Sequence, residues 1–428
     1  MVKGGKLVLL VKKIKVCWVS GSLNRILLVC HTFRLTSMKL ASLPTTLKAS
    51  SALNLHLTSL QAFVFRCPSP VPVRTSFGIM RDRPAVFVRA ESSDGHVGWG
   101  EIWCNFPACG AEHRAKLLET IVAPLLLHKD FSDPAQAYRV ATQKTEILAL
   151  QTGEPGPLAQ VISGVDLALW DLSAKRANLP LFRLLGGTQP RVPVYASGIN
   201  PDGPLDVVKR KHAEGYRAFK LKIGFNDKQD IDNIDSLRSW LGTEASVMAD
   251  VNQAWNVHQA LTMLPQLEKF KLMWLEEPLR TDSHAEQWSA LHKATQTPLA
   301  AGENLLGQAS FEKAIGMKTF GVLQPDLAKW GGISGCWPVI QKIQESGIRF
   351  CPHYLGAGIG LMASAHVLAA AGGDGMLEVD ANDNALRSLL APPFADVDDG
   401  WIQLDETPGI GVTPDLVALS KLMEKSNP

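Results

Sequence analysis

The chain has 428 residues, 46% of them apolar and 20% charged, with a net charge of +2. This is the profile of an ordinary globular protein of one to three domains, and it excludes a composition built for nucleic acid or an anionic membrane. Seven cysteines form no CxxC pair and no regular framework, so free thiols in a reducing, cytoplasmic setting are expected rather than disulfides or zinc.

Residues 1–55 hold several lysines and no Asp or Glu; the first acid is Asp82. The segment has the composition of a basic leader, though poor in arginine, and a start called too early, with Met38 as the true start, is the simpler account. Its apolar run Leu7 to Val11 is cut by Lys12 and Lys13, too soon to span a bilayer. An unstructured or spurious extension with no part in the chemistry is expected.

Residues 56–190 read as an α+β cap. Leu57 to Phe65, Ala85 to Glu91 and Val97 to Glu101 are strand-like, with a turn at Ser93-Asp94-Gly95-His96, and predict a three-stranded meander. Helical periods follow over Glu112 to Leu127 and Gln160 to Ala177. Two loops are expected over a site, Arg74 to Arg83 and Trp103 to Gly110; Trp103 and Asn105 in the second are candidate substrate contacts.

Residues 191–399 alternate short apolar runs with helical stretches. The runs are Val192 to Ile199, Ala218 to Ile223, Ser246 to Asp250, Leu272 to Leu275, Leu299 to Gly302, Gly321 to Gln324, Ile348 to Cys351 and Gly375 to Val379. Eight runs about 25 residues apart predict a closed (β/α) barrel, and no Gly-rich dinucleotide fingerprint supports an open doubly wound sheet.

Acids end these runs at Asp250, Glu276, Glu303, Asp326 and Glu378, at spacings of 26, 27, 23 and 52, and His353 splits the last into 27 and 25. The carboxyl ends of barrel strands form the working face, so these residues converge on one mouth. Asp250, Glu276 and Glu303 are hard oxygen donors from successive strands, which suits Mg²⁺. A structural salt bridge is the plain alternative for any one of them. Lys220 and Lys222 share a strand face, and two amines at a barrel mouth call for an anion. Lysine beside lysine has a lowered pKa, so Lys222 is a candidate base. His353 with Asp326 one strand back is a second candidate base, the Asp fixing the ring tautomer. Glu378, if protonated, could donate to developing negative charge.

The ordered motifs Lys220-Leu221-Lys222, Asp250-Val251-Asn252-Gln253, Leu275-Glu276-Glu277-Pro278, Gly302-Glu303-Asn304, Gln324-Pro325-Asp326, Pro352-His353 and Leu377-Glu378 resemble the mandelate racemase-like group of the enolase superfamily, over 57–420. The resemblance implies a (β/α)7β TIM-like barrel under an α+β N-terminal cap, with residues 400–420 returning to the cap. It implies Mg²⁺ at Asp250, Glu276 and Glu303, with Lys222 as base on one face and His353 with Asp326 on the other. Lys220 then contacts the substrate carboxylate, Asn252 the ligand, and Glu378 the enediolate. Adjacent strand residues point to opposite sides, so Glu277 is left to support the ligand or to partner a lysine. Muconate-lactonising relatives use a lysine opposite the Lys-x-Lys pair, for which Lys329 is a candidate, but the His353–Asp326 pair fits the mandelate racemase-like pattern better.

The reaction implied is abstraction of the proton next to a substrate carboxylate. Dehydration of an acid sugar leads; racemisation, epimerisation or lactone cycloisomerisation of a hydroxy acid is the alternative, and a carboxylate-binding protein without turnover is the third. A small carboxylate partner and a homo-oligomer are implied, with neither nucleic acid nor membrane.

Overall fold

The computed structural model describes residues 53–75 and 78–424. Most of the expected extension lies outside them, but Leu53 and Leu55 are already buried, so the packed cap begins within the segment expected to stand apart.

Strands β1 (Leu55–Thr75), β2 (Gly78–Ser92) and β3 (Val97–Ile102) form the expected meander, and β4 (Asp130–Phe131) adds to it beside β1, giving the order β3-β2-β1-β4. The central strand is buried on both faces. Val86, Val88 and Ala90 meet Val161, Val165, Ala168 and Leu172 of the helix Pro155–Arg176, while Ala85 and Phe87 join the main core. That alternation is the period of two that a pleated strand imposes.

Arg74 to Arg83, expected as a loop, is instead part of a long β1–β2 hairpin whose pairing runs out to Thr75 against Gly78. Pro68, Pro70 and Pro72 disguise it, because proline removes ladder donors; the register is irregular between Pro68 and Val73. The helix expected over Glu112 to Leu127 is three pieces: Gly110–Leu117, a π-helical turn Leu118–Val122, and Ala123–Leu126. The break falls just before Pro124, which has no N–H to donate. The helix expected from Gln160 starts at Pro155, proline being at home in a first helical turn. A further helix, Pro134–Thr152, was not anticipated. Its inner face is Ala137, Ala141 and Thr145, too small to give a strong apolar period.

Eight parallel strands follow: β5 (Arg191–Ile199), β6 (Ala218–Lys222), β7 (Ser246–Asp250), β8 (Leu275–Glu276), β9 (Leu299–Ala301), β10 (Phe320–Leu323), β11 (Arg349–Phe350) and β12 (Leu377–Asp380). They pair in the order β11-β10-β9-β8-β7-β6-β5-β12, and β13 (Trp401–Gln403) lies antiparallel on β5. Between β11 and β12 no ladder is paired among the described residues. There Met376 N–H donates to Cys351 Sγ (3.4 Å), and Gly375 lies so close to the Phe350 carbonyl that a Cβ would stand 1.8 Å from it.

Tyr195, Ala218, Met248, Trp274, Ala300, Val322 and Cys351 pack together with Met376 as one layer, each from a different strand segment. Bulky and small residues from eight strands filling one plane are how a barrel closes its interior.

Buried polar contacts join the cap to the barrel. Asp166 accepts from the Ile333 and Ser334 N–H groups (2.7 and 2.9 Å) at the start of the helix Gly332–Glu345, and Arg83 of β2 pairs with Asp380 at the end of β12. Ile410 N–H donates to Asp171 in the Pro155–Arg176 helix (2.8 Å). Among the described residues no helix is long and apolar enough to cross a membrane.

Candidate active site

Two residues beyond each member of the apolar layer stand Ser197, Lys220, Asp250, Glu276, Gly302, Gln324, His353 and Glu378. The same strand period that builds the layer therefore stacks a polar tier directly on it, at the carboxyl ends. Glu303 is the exception, one residue out of phase. Gly302 takes φ +152 and its Cα lies against β10, where a Cβ would be 2.4 Å from Gln324 N, so only glycine permits the turn that delivers Glu303.

The tier is dense with charge. Lys220 Nζ lies 2.7 Å from Glu276 and 2.7 Å from Glu378. Lys222 Nζ lies 2.6 Å from Asp250 and donates to Asn252 Oδ1 at 2.7 Å. His353 Nδ1 is 2.7 Å from Asp326 Oδ2, and its Nε2 is 2.7 Å from Glu303. Lys329, the rival candidate, donates to Asn304 Oδ1 (2.9 Å), lies 3.5 Å from Glu303 and sits 4.9 Å over the Trp103 ring.

Burial and pairing pull these groups in opposite directions. Burial pushes His353 down, but Glu303, Glu378 and the bond to Asp326 outweigh it and hold the imidazole well above its usual pKa. Burial likewise pushes Glu303 up, yet His353, Lys329 and Lys222 bring it well below the ordinary range. Lys222 departs from expectation. Burial lowers it and so does Lys220, the latter as foreseen, but Asp250 and Glu303 outweigh them and the net shift is upward, so the amine is charged here. Glu378 also departs: burial favours the acid, but Lys220, His353 and the Ser197 hydroxyl hold it ionised, an acceptor rather than the expected donor. Burial pushes Glu276 up to about 7.

Glu277 does not simply face away from Glu276. Its φ of +38 takes it out of strand geometry, and its buried carboxylate accepts from Asn304 Nδ2 (2.9 Å), which also donates to Glu303 (3.1 Å). Glu276 instead accepts from Trp274 Nε1 (3.1 Å) and Gln324 Nε2 (2.7 Å) as well as Lys220. Gln324 and Ser197 were not singled out as site residues. Their position two residues beyond Val322 and Tyr195 is the signal that finds them.

Trp103 and Asn105 reach the barrel, but as loop contacts. Trp103 N–H donates to the Ala328 carbonyl (3.4 Å), and Asn105 Nδ2 to the Leu355 carbonyl (2.8 Å).

The donor set fits a hard divalent cation. Asp250 and Glu276 are register partners, Glu276 is paired with Ala300, and Glu303 stands three residues on. Each carboxylate already meets a cationic side chain: Lys222, Lys220 and His353 respectively. Among the described residues no three His, Cys, Asp or Glu side chains are gathered as tightly as an ion needs.

Residues 59–186 match the mandelate racemase/muconate lactonizing enzyme N-terminal domain, and residues 205–418 the enolase C-terminal domain-like family. The chain belongs to the mandelate racemase and muconate lactonizing enzyme family of the enolase superfamily. It is an enzyme of that superfamily, and its barrel is the family's TIM-like barrel. Arabinonate dehydratase of Saccharolobus solfataricus is 30% identical over 77% of this chain and 87% of its own. The 3,6-anhydro-alpha-L-galactonate cycloisomerase of Streptomyces coelicolor is 31% identical over 84% and 97%. A mandelate racemase/muconate lactonizing enzyme from Bordetella bronchiseptica is 55% identical, covers 86% of this chain and 99% of its own, and superposes with a TM-score of 0.82. A racemase from Streptomyces coelicolor solved with bound magnesium is 28% identical over 86% and 99%, TM-score 0.77. Relatives in this superfamily are thus dehydratases, cycloisomerases and racemases, and magnesium is found in the family.

Proposed function

We propose that the protein is a Mg²⁺-dependent dehydratase of an acid sugar. The observation that carries this reading is the pair of candidate proton carriers, Lys222 beside Asp250 and His353 beside Asp326, arranged around the carboxylates of one buried tier. Asp250, Glu276 and Glu303 would hold the magnesium. When bound, the ion supplies a Lewis acid that stabilises negative charge developing on the substrate carboxylate.

This chain's own residues do the rest. Lys220 grips a substrate carboxylate oxygen. Lys222, charged while it pairs with Asp250, gives up its proton to solvent once Asp250 lets go of it, and as the free amine takes the proton from the adjacent carbon. His353, held protonated by its neighbours and oriented by Asp326, gives a proton to the departing β-hydroxyl. Glu378 keeps Lys220 in place and Asn252 keeps Lys222 in place. The buried tier excludes bulk water, which strengthens each of these interactions.

Racemisation or cycloisomerisation uses the same two carriers, and the cycloisomerase and racemase relatives support it as the second reading. A screen of acid sugars with Mg²⁺ in D₂O decides. A product lighter by one water supports dehydration. Solvent deuterium at the carbon next to the carboxylate, with no loss of water, supports the second reading. Neither outcome with any acid leaves a carboxylate-binding protein.

A further inference from the structure

Glu101, near the end of β3 in the cap, is 2% exposed and has no part in the chemistry above. Its carboxylate accepts from Ala357 N–H (2.6 Å) and Gly360 N–H (2.9 Å). Those are two of the four N-terminal donors of the barrel helix Gly358–Ala371, at its N-cap and third residue, and the helix has no capping side chain of its own. An anion at a helix N-terminus satisfies unpaired N–H groups and meets the positive end of the helix dipole. Here that acceptor comes from the other domain; burial raises its pKa against the Gly360 and Ala357 N–H bonds that lower it.

The helix start is tied directly to the tier. His353 stands four residues before Ala357, and the next residue, Tyr354, donates its N–H to Glu378 (3.2 Å). The intervening loop is wound round the Tyr354 ring: a Cβ on Gly356 or Gly360 would fall 2.3 or 2.4 Å from its hydroxyl oxygen. Asn105, four residues on from Glu101, holds the Leu355 carbonyl in the same loop. Trp103, between them, donates its N–H to Ala328, whose own N–H donates to Asp326 (2.8 Å). Alternate residues of one cap segment thus hold the loop that carries His353 and the loop that carries Asp326. Lys222 lies on β6, which none of these contacts reaches.

We propose that Glu101, assisted by Asn105, is a positioning residue for the His353–Asp326 pair: the cap orients one proton carrier and leaves the other to the barrel. This rests on the proposed function for its chemical meaning, but its geometry can be tested without substrate. The downfield Nδ1–H proton resonance of His353, assigned by its loss in H353N, is measured in the Mg²⁺-loaded full chain. In E101Q, which replaces one acceptor oxygen by an amide facing a backbone N–H, that resonance is expected to shift and broaden while the circular dichroism is unchanged. If E101Q does not fold, N105A is the second variant, with the same expected direction.

With any acid for which wild type exchanges its α-proton, E101Q is expected to slow exchange on the His353 face by roughly 10- to 100-fold, the cost of a misplacement of about 1 Å. Exchange on the Lys222 face is expected to stay within about twofold. An unchanged Nδ1–H resonance in a folded variant overturns the proposal, and so does an equal loss on both faces. If wild type exchanges no acid at all, the functional reading falls, and the resonance alone decides the role of Glu101.

Discussion

Lys220 stands between Glu276 and Glu378, 2.7 Å from each, with all three side chains buried. One ammonium therefore neutralises two carboxylates, and removing it leaves like charges facing each other out of water. Lys220→Met is expected to destabilise the fold by about 3–5 kcal/mol, the usual cost of breaking a buried ion pair from one side. Urea unfolding followed by tryptophan fluorescence checks it. A loss under about 1 kcal/mol would mean that the carboxylates take up protons at no cost.

Magnesium is expected to stabilise the protein. A ligand that binds only the folded state at about 100 times its Kd adds about 2.7 kcal/mol. Thermal unfolding with and without Mg²⁺ reads this directly. Glu303→Gln and Asp250→Asn should each reduce the shift, whereas Lys228→Ala, an exposed surface lysine, should not. Equal shifts in all three variants would move the ion elsewhere.

The two carriers should separate kinetically. Lys222→Ala and His353→Asn are each expected to lower turnover by about 10²- to 10⁴-fold, the range for loss of a general acid or base. If the reaction is the second reading, racemisation, deuterium wash-in at the α-carbon should fail on a different face in each. Unchanged exchange in both variants would end the two-carrier mechanism.

A pH effect on stability is expected from His366, on the helix Gly358–Ala371 between His353 and Glu378 and equally buried. Burial pushes its pKa down to about 4; it accepts from Phe182 N–H and lies near the charge of Asp405. Below about pH 6.5 the unfolded chain binds a proton there that the folded chain refuses. Stability is therefore full above that pH and falls as pH drops from about 6.5 to about 4, by at most about 3 kcal/mol. His366→Asn keeps an acceptor for Phe182 and removes the titration. Its unfolding midpoint should vary less than that of wild type across this window, and identical pH profiles would assign the effect to other groups.

Much of the tier was legible in advance because it obeys one rule. Lys220, Asp250, Glu276, His353 and Glu378 each continue the period of two begun by a buried apolar residue, so strand ends and strand interiors announce each other. Gln324 and Ser197 obey the same rule, but a neutral side chain draws less notice than a charge. What was illegible depends on distances between segments remote in the chain. Lys222 was expected to lose its charge because Lys220 is two residues away; Asp250, 28 residues on, reverses the sign. Glu378 was expected to be an acid and is held ionised by Lys220 and Ser197, both from other strands. Glu277 left the strand alternation through a positive φ that its composition does not signal. The roles of Glu101 and Asn105 likewise lie in contacts some 250 residues apart along the chain.

The seam beside Cys351 has a mechanical meaning. Seven joins between neighbouring barrel strands are laced by backbone hydrogen bonds, and at the eighth a thiol sulfur takes the place of a carbonyl. Sulfur is a weak, soft acceptor, so this join yields first when the cylinder is strained. His353 and Glu378 stand on its two lips, immediately above. The wall of the barrel is most elastic between the proton carrier His353 and the carboxylate that anchors Lys220, and stiffest at the β6–β7 join, where Lys222 and Asp250 end five consecutive paired residues.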